Sequence, residues 1–143
     1  MRLRVVEPKL LHSLRLRVLR PGQPASSVDH EYDYLPDSLH VGAVDAAGVV
    51  VACATLYPEP TPDGRAGWRL RAMATAPEVR GRGYGASTLR LGMQIARDRG
   101  AALVWCNARS GAVWFYEHLG FVKTSEEFEI PPIGPHYVME IEL

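Results

Sequence analysis

The sequence predicts a single α+β domain, residues 1–143, with a mixed, mostly antiparallel twisted sheet flanked by helices. Three observations lead to this fold class. Apolar runs of strand length are interspersed with longer segments of helical periodicity. Most of the strands are consecutive and joined by turn residues, which favours antiparallel pairing. One glycine-rich loop begins a helix between two strands, which is typical of a parallel β-α-β crossover.

The first half of the chain is predicted to hold one helix and three strands. Residues 21–38 contain Pro, Gly, Ser and Asp without periodicity and are predicted to be a long loop or a broken helix, a length that is often functional. The predicted elements are a strand at Leu3–Val6, a helix from Pro8 to Arg20 with Leu10, Leu11, Leu14 and Val18 on its apolar face, and strands at Leu39–Val44 and Val49–Tyr57 joined by a turn at Asp45–Gly48.

The second half is predicted to continue with strands and two helices. Gly100 ends the first of these helices, and Gly120 ends the second, for which Ser110 is the predicted N-cap. The predicted elements are a strand at 68–74, a helix at Tyr84–Arg99, a strand at Ala101–Cys106, a helix through Leu119, and strands at Phe121–Glu129 and His136–Leu143 around a bend at Pro131–Pro135.

Composition excludes several classes of function. Lys+Arg and Asp+Glu number 16 each, so the formal net charge of zero argues against a nucleic acid held mainly by electrostatics. Arginines are nevertheless concentrated at 65–82, a local basic patch. Cys53 and Cys106 lie in apolar runs without metal-ligand spacing, which predicts buried reduced thiols, no disulfide and no metal. The longest near-apolar run, 48–57, is about half of a membrane span, and no signal core follows the N-terminus, so a soluble cytoplasmic protein is expected.

The loop Arg80–Ala86, Arg-Gly-Arg-Gly-Tyr-Gly-Ala, is the strongest functional signal. Glycines at alternate positions permit positive φ and close approach of the backbone to a ligand, and a helix N-terminus attracts anions. A P-loop would need Gly-Lys-Ser/Thr, which is absent. A dinucleotide fold would need an acidic residue at Asn107 and a different strand order. A purely structural glycine turn is a further reading.

Motifs within and beyond this loop resemble the GCN5-related N-acetyltransferase (GNAT) superfamily. Arg80-x-x-Gly83-x-Gly85 matches the Q/R-x-x-G-x-G/A signature, and Phe115-Tyr-Glu-x-x-Gly-Phe121 follows downstream. The resemblance covers residues 68–143, with 68–120 as the acetyl-CoA-binding core, and is weak in the first half. It implies a GNAT-like fold whose strands splay apart at the cofactor site.

The resemblance also implies acetyl-CoA as cosubstrate, without a metal. The loop amides would take the pyrophosphate, and the pantetheine arm would pair with the preceding strand like an added strand. The residues implied in cofactor binding are Met73, Ala74, Thr75, Arg80, Gly81, Arg82, Gly83, Tyr84, Gly85, Ala86, Asn107, Ala112 and Phe115.

Acetyl transfer to an amine needs an acid for the leaving thiolate and a base for the amine. The resemblance implies that Tyr116 is the acid; an ordinary core aromatic is the other reading. His136, after the rigid Gly134-Pro135, is the first candidate for the base, because histidine changes charge near neutral pH. A structural histidine is the alternative. Other candidate bases are Glu59, Glu126, Glu127 and Glu129, each of which also reads as a surface carboxylate.

The resemblance implies that the polar segment from Arg20-Pro-Gly-Gln-Pro24 to Asp37 covers the acceptor site and selects the substrate. It contains Asp29, His30, Glu31, Asp33 and Asp37, which would attract a cationic amine or simply be solvated. The predicted activity is direct acetyl transfer to a primary amine of a small molecule or peptide. A non-catalytic acyl-CoA-binding or sensor module is the alternative, and a nucleotide-binding domain is a third. A homodimer is a family-level expectation, and neither nucleic acid nor membrane is an expected partner.

Overall fold

The helices and strands follow the predicted order, with one more strand than expected. The structure is a computed structural model that describes all residues, 1–143. Its elements are β1 (Arg2–Val5), α1 (His12–Leu19), β2 (Leu39–Val44), β3 (Val50–Pro58), β4 (Trp68–Thr75), α2 (Tyr84–Asp98), β5 (Leu103–Arg109), α3 (Val113–His118), β6 (Val122–Lys123), β7 (Phe128–Ile130) and β8 (Gly134–Glu142). None of the helices combines the length and apolar character needed to cross a bilayer.

All eight strands form one sheet in the order β1-β2-β3-β4-β5-β8-β6, and β7 also pairs with β8. Every pairing is antiparallel except that of β4 with β5, which α2 connects. The parallel pairing holds only at Trp68–Val104 and Arg69–Trp105. Beyond these residues β4 and β5 separate, so the predicted mixed sheet with splayed strands is confirmed.

A β-bulge in β4 accompanies the separation. Arg71 pairs with Thr55 and Ala74 with Cys53, so Ala72 and Met73 together oppose a single residue of β3. Ala72 has a φ of 53° and is the only non-glycine residue of the chain with a positive φ. Because a bulge bends its strand and increases its twist, β4 turns away from β5 at this point.

The sheet is packed on both faces. The larger cluster lies under α2 and α3 and includes Leu70, Leu89 and Met139. Gly92 lets α2 approach the sheet, since a Cβ there would lie 2.7 Å from Leu56 Cδ1. A second cluster lies under α1, where Leu11 and Leu14 pack against β3 and β4. Sheet and helices therefore form a three-layer arrangement over part of the domain.

Several predicted local features are corrected by tertiary contacts. The first helix begins as a 3₁₀ turn at Pro8–Leu11, and Leu10 is exposed. Ser110 does not cap α3, because its hydroxyl donates a hydrogen bond to Glu127 at 2.9 Å. The predicted strand at 121–129 is two short strands, β6 and β7, that pair with different parts of β8.

The predicted strand at 101–106 is shifted toward the C-terminus. β5 runs over Leu103–Arg109, so Asn107 lies inside the strand rather than at its end. The two cysteines are free and buried, as predicted, and burial raises the pKa of each thiol to about 12.

Candidate active site

A cavity of about 330 Å³ lies where β4 and β5 separate. Its floor is formed by the diverging strands, and its walls come from α1, α3, the segment 21–38 and the β7–β8 turn. The lining residues that carry polar groups or reach furthest inward are Arg20, His30, Tyr32, Arg71, Met73, Asn107, Arg109, Ala112, Tyr116, Ile130, Ile133 and His136.

Strand alternation gives the cavity two sides. Cys106 and Tyr116 belong to the core under α2 and α3, so we call this the helix side; Met73 and Ala112 pack against the same core. Trp105 belongs to a separate cluster on the opposite face. Alternate residues of a strand share a face, so Asn107 and Arg109 lie there too. We call this the cap side, and it also includes Arg20, His30, Tyr32, Arg71 and His136.

Tyr116 stands on the helix side at the inner end of the cavity. Its ring makes edge contacts with Phe115 and Phe121, at centroid distances of 5.2 and 5.3 Å. None of the side-chain hydrogen bonds of the chain involves its hydroxyl, and the residue lines the cavity. Burial raises the pKa of this phenol well above its ordinary value, so Tyr116 keeps its proton at neutral pH.

His136 lies on the cap side, at the end of the β5–β8 pairing, where it stands opposite Arg109. The side chain is 4% exposed, and its Nδ1 lies 2.7 Å from the carbonyl oxygen of Gly134. A carbonyl can only accept, so Nδ1 carries the proton and donates it. The Nε2 lone pair is thereby left free to accept a proton from a group in the cavity.

The glycine loop begins α2 beyond the C-terminal end of β4. Gly81 and Gly83 both have φ of 80°, with open space where a Cβ would stand. Gly85 is buried, and a Cβ there would lie 2.6 Å from Thr75 Oγ1. The first turn of α2 has no side-chain cap and no acidic residue, so its N–H groups face outward unpaired by side chains. Arg80 closes the loop by donating to the carbonyl of Thr75 at 3.2 Å.

The segment 21–38 forms two 3₁₀ turns, Ala25–Val28 and Glu31–Tyr34, and a buried arginine holds them on the sheet. Arg15 donates to both carboxylate oxygens of Asp33, at 2.6 and 2.8 Å. It also donates to Thr55 Oγ1 on β3 at 2.7 Å. Burial alone would raise the pKa of Asp33, but the hydrogen bonds and charge of Arg15 hold that pKa below its ordinary value.

An aromatic stack extends from this segment into the cavity. His30 stacks on Tyr32 at 4.6 Å, and Tyr32 stacks on Tyr57 at 5.1 Å. The Arg71 guanidinium lies 4.7 Å from the Tyr32 ring centre. Burial, followed by the charge of Arg15, lowers the pKa of His30, so this imidazole is neutral at pH 7.

The structure brings only some of the sequence-predicted residues into the cavity. Met73, Asn107, Ala112, Tyr116 and His136 line it. The remaining residues implied in cofactor binding form two groups outside it: Ala74, which packs under α1, and Thr75, Phe115 and the loop residues Arg80, Gly81, Arg82, Gly83, Tyr84, Gly85 and Ala86, which surround the start of α2.

The acids of the predicted acceptor segment do not line the cavity. Asp33 is buried and paired with Arg15, and Asp29 accepts a hydrogen bond from Tyr34. Among the alternative bases, Glu59 pairs with Arg69 at 2.9 Å and Glu127 bonds Ser110, while Glu126 and Glu129 are exposed; none lines the cavity.

The sequence reasoning missed several residues of the cavity. These are Tyr32, Arg109, Ile130 and Ile133, which line it from three separate segments. The arginines at 65–82 do not form one basic patch. Arg65 pairs with Glu140 and Asp63, whereas Arg71 lines the cavity. A register prediction for β5 and β8 would have found Arg109, since it stands opposite His136.

Comparisons with known proteins agree with this geometry. The model of the acetyltransferase (GNAT) family matches residues 9–121. The uncharacterized N-acetyltransferase YitI of Bacillus subtilis strain 168 is 32% identical over 130 residues, 90% of this chain and 87% of that protein. Escherichia coli ElaA has a similar structure, with a TM-score of 0.78 at 17% identity over 97% of each chain. An aminoglycoside 6′-N-acetyltransferase solved with coenzyme A gives a TM-score of 0.78 at 15% identity, covering 99% of this chain and 97% of its own.

Proposed function

Because the chain belongs to the GNAT family of acetyl-CoA-dependent acetyltransferases, we propose that it moves an acetyl group directly from acetyl-CoA to a primary amine. The acceptor is a small molecule or a peptide. In this proposal acetyl-CoA approaches from the helix side of the cavity and the amine from the cap side. Tyr116 and His136 line the cavity on these two sides, and this placement is the observation that carries the proposal.

The residues at the start of α2 fit the coenzyme. The loop Arg80–Ala86 suits a pyrophosphate, because the N–H groups from Gly81 onward have no backbone partner. Arg82 adds an exposed cation. The small volume at Gly85 permits the close approach of α2 to β4 that keeps these amides beside Thr75. On its β5 side, β4 has no strand partner beyond Arg69, so the backbone at Met73–Thr75 can pair with an extended pantetheine arm.

Acetyl-CoA supplies an activated thioester carbonyl when bound. His136 Nε2 accepts a proton from the amine, whose nitrogen forms the new bond to the carbonyl carbon as the carbon–sulfur bond breaks. Tyr116 donates its phenolic proton to the departing sulfur, and its raised pKa keeps that proton available. Asn107 lines the cavity from β5, and in this proposal its amide holds the pantetheine.

A non-catalytic acyl-CoA-binding module is the second candidate. It would need the glycine loop but neither a free phenol nor a free imidazole in the cavity. Tyr116 has no hydrogen-bond partner, and His136 Nε2 has none either, so both groups are available for proton transfer. This availability favours the enzyme over the binding module.

Two measurements on the wild-type protein test the proposed function. Thermal denaturation is recorded with acetyl-CoA, with CoA and with NAD, and we expect the first two alone to raise the Tm. Release of free CoA thiol from acetyl-CoA is then followed across a panel of primary amines. Amine-dependent thiol release supports the enzyme. Stabilisation by CoA without thiol release for any amine would favour the binding module, and stabilisation by NAD alone would overturn both.

A further inference from the structure

The cavity carries an excess of positive charge. Arg15, Arg20, Arg69, Arg71 and Arg109 contribute to its lining, and no aspartate or glutamate does. Two of the five form salt bridges, Arg15 with Asp33 at 2.6 Å and Arg69 with Glu59 at 2.9 Å. The other three form no salt bridge, so the cap side presents three uncompensated guanidinium groups.

Arg71 has the geometry of a carboxylate or phosphate ligand. Its Cζ lies 4.7 Å from the centre of the Tyr32 ring, a cation–π contact that uses none of its N–H donors. No hydrogen bond of the chain engages these donors. A guanidinium whose donors are free can bind an anion with two oxygens through two parallel N–H groups.

Arg20 and Arg109 extend the same positive region. Arg20, at the end of α1, donates one hydrogen bond to the carbonyl of Leu19 and has no acidic partner. Burial, and then the charge of Arg20, lowers the pKa of Arg109, so these two cations repel one another. A bound anion would relieve this repulsion and would satisfy the free donors of all three side chains.

Resting on the proposed function, we propose that the acceptor amine also carries an anionic group, a carboxylate or a phosphate, which Arg71 binds together with Arg20 and Arg109. The amine nitrogen then lies near His136, between the anion site and the thioester. The same cations favour this reaction in a second way. A positive environment disfavours the ammonium form of the acceptor and so promotes the neutral amine that attacks.

Matched pairs of amines that differ only in the anionic group provide the test. The pairs are β-alanine and β-alaninamide, phenylalanine and phenylalaninamide, and phosphoethanolamine and ethanolamine. Thiol release gives kcat/KM for each amine, and titration calorimetry gives its binding to the CoA-loaded protein. We expect the anionic member to be favoured by about 10- to 100-fold, the usual effect of a charge-assisted hydrogen bond. The first two pairs report on carboxylate, and the third reports on phosphate.

Arg71→Gln then tests whether Arg71 is responsible for the preference for the anionic amine. It should raise KM for the preferred anionic amine about 10-fold or more while leaving KM for acetyl-CoA and for the neutral partner unchanged. Arg71→Lys should have a smaller effect on this KM than Arg71→Gln, because lysine keeps the positive charge but not the two parallel N–H donors of the guanidinium. Arg90→Gln, an exposed change on α2, is the matched control and should leave every constant unchanged.

The outcomes separate the two proposals. If neutral amines react as well as their anionic partners, the anion site is wrong although the acetyltransferase activity stands. If the anionic amine is preferred but Arg71→Gln keeps that preference, the assignment to Arg71 is overturned. If no amine releases thiol, the proposed function fails and calorimetry decides the anion site: preferential binding of anionic amines supports it, and equal binding of both members overturns it.

Discussion

The Arg15 guanidinium and the Asp33 carboxylate form a fully buried ion pair with two hydrogen bonds, at 2.6 and 2.8 Å. The pair joins α1 to the 3₁₀ turn Glu31–Tyr34, and Thr55 ties it to the middle of the sheet at 2.7 Å. The turn carries Tyr32, and His30 directly precedes it, so this buried ion pair positions the cap side of the candidate active site.

Arg15→Met should therefore destabilise the domain strongly. Removing one partner leaves Asp33 buried without its counter-charge, which costs about 3–5 kcal/mol of the free energy of unfolding. Urea denaturation measures this loss. Arg17→Met, on the same helix, breaks only the exposed pair with Glu78 and should change the midpoint little. Equal effects of the two substitutions would mean that the buried pair has no special role.

The same pair predicts how stability depends on pH. Since the folded pKa of Asp33 lies below its ordinary value of 3.8, the pair stabilises the fold above that pH. This contribution is lost as the pH falls through the folded pKa. The double variant Arg15→Met/Asp33→Leu should lose less stability between neutral pH and pH 3 than the wild type. Parallel curves for the two proteins would show that Asp33 does not titrate in this way.

Gly83→Ala should separate backbone strain from coenzyme binding. Its φ of 80° costs an L-residue about 1–2 kcal/mol, and its Cβ would project into the open space above the loop amides. We expect both a loss of stability and a weaker affinity for CoA, measured by calorimetry. Gly48→Ala in the β2–β3 turn, with φ of 84°, is the control for strain alone. Unchanged CoA affinity in Gly83→Ala would contradict the placement of the pyrophosphate.

His136→Ala should alter the pH–rate profile of kcat/KM. If Nε2 accepts the proton of the amine, the variant lacks the ascending limb of the wild-type profile. His118→Ala, an exposed change at the end of α3, should leave the profile as it is. A variant that retains the wild-type ascending limb excludes His136 as the base. His30, which also lines the cavity, is then the next candidate base.

The parts of the site that local signals specify were predictable from the sequence. The loop Arg80–Ala86, the helix that follows it and Tyr116 all appear as short motifs with helical spacing. The bulge at Ala72 could not be predicted, because no glycine marks its position in the sequence. It results from the long-range pairing of β4 with β3.

The cap side depends on contacts that no local pattern encodes. The sequence predicts that Asp33 either attracts a cationic amine or is solvated, but Arg15, eighteen residues earlier, withdraws it from solvent. The position of Arg109 opposite His136 follows from the register of β5 and β8, which one sequence does not specify. The positive charge of the cavity lining therefore depends on tertiary contacts rather than on the composition of the segment 21–38.

Tyr116→Phe, assayed by thiol release with an amine that the wild type acetylates, tests the central claim most directly. The substitution removes only the hydroxyl, which has no partner within the chain, so folding and CoA affinity should be unchanged. We predict that kcat falls about 100-fold or more, while KM for acetyl-CoA changes little. An unchanged kcat, under conditions where the chemical step limits the rate, would contradict the role of Tyr116 as the acid.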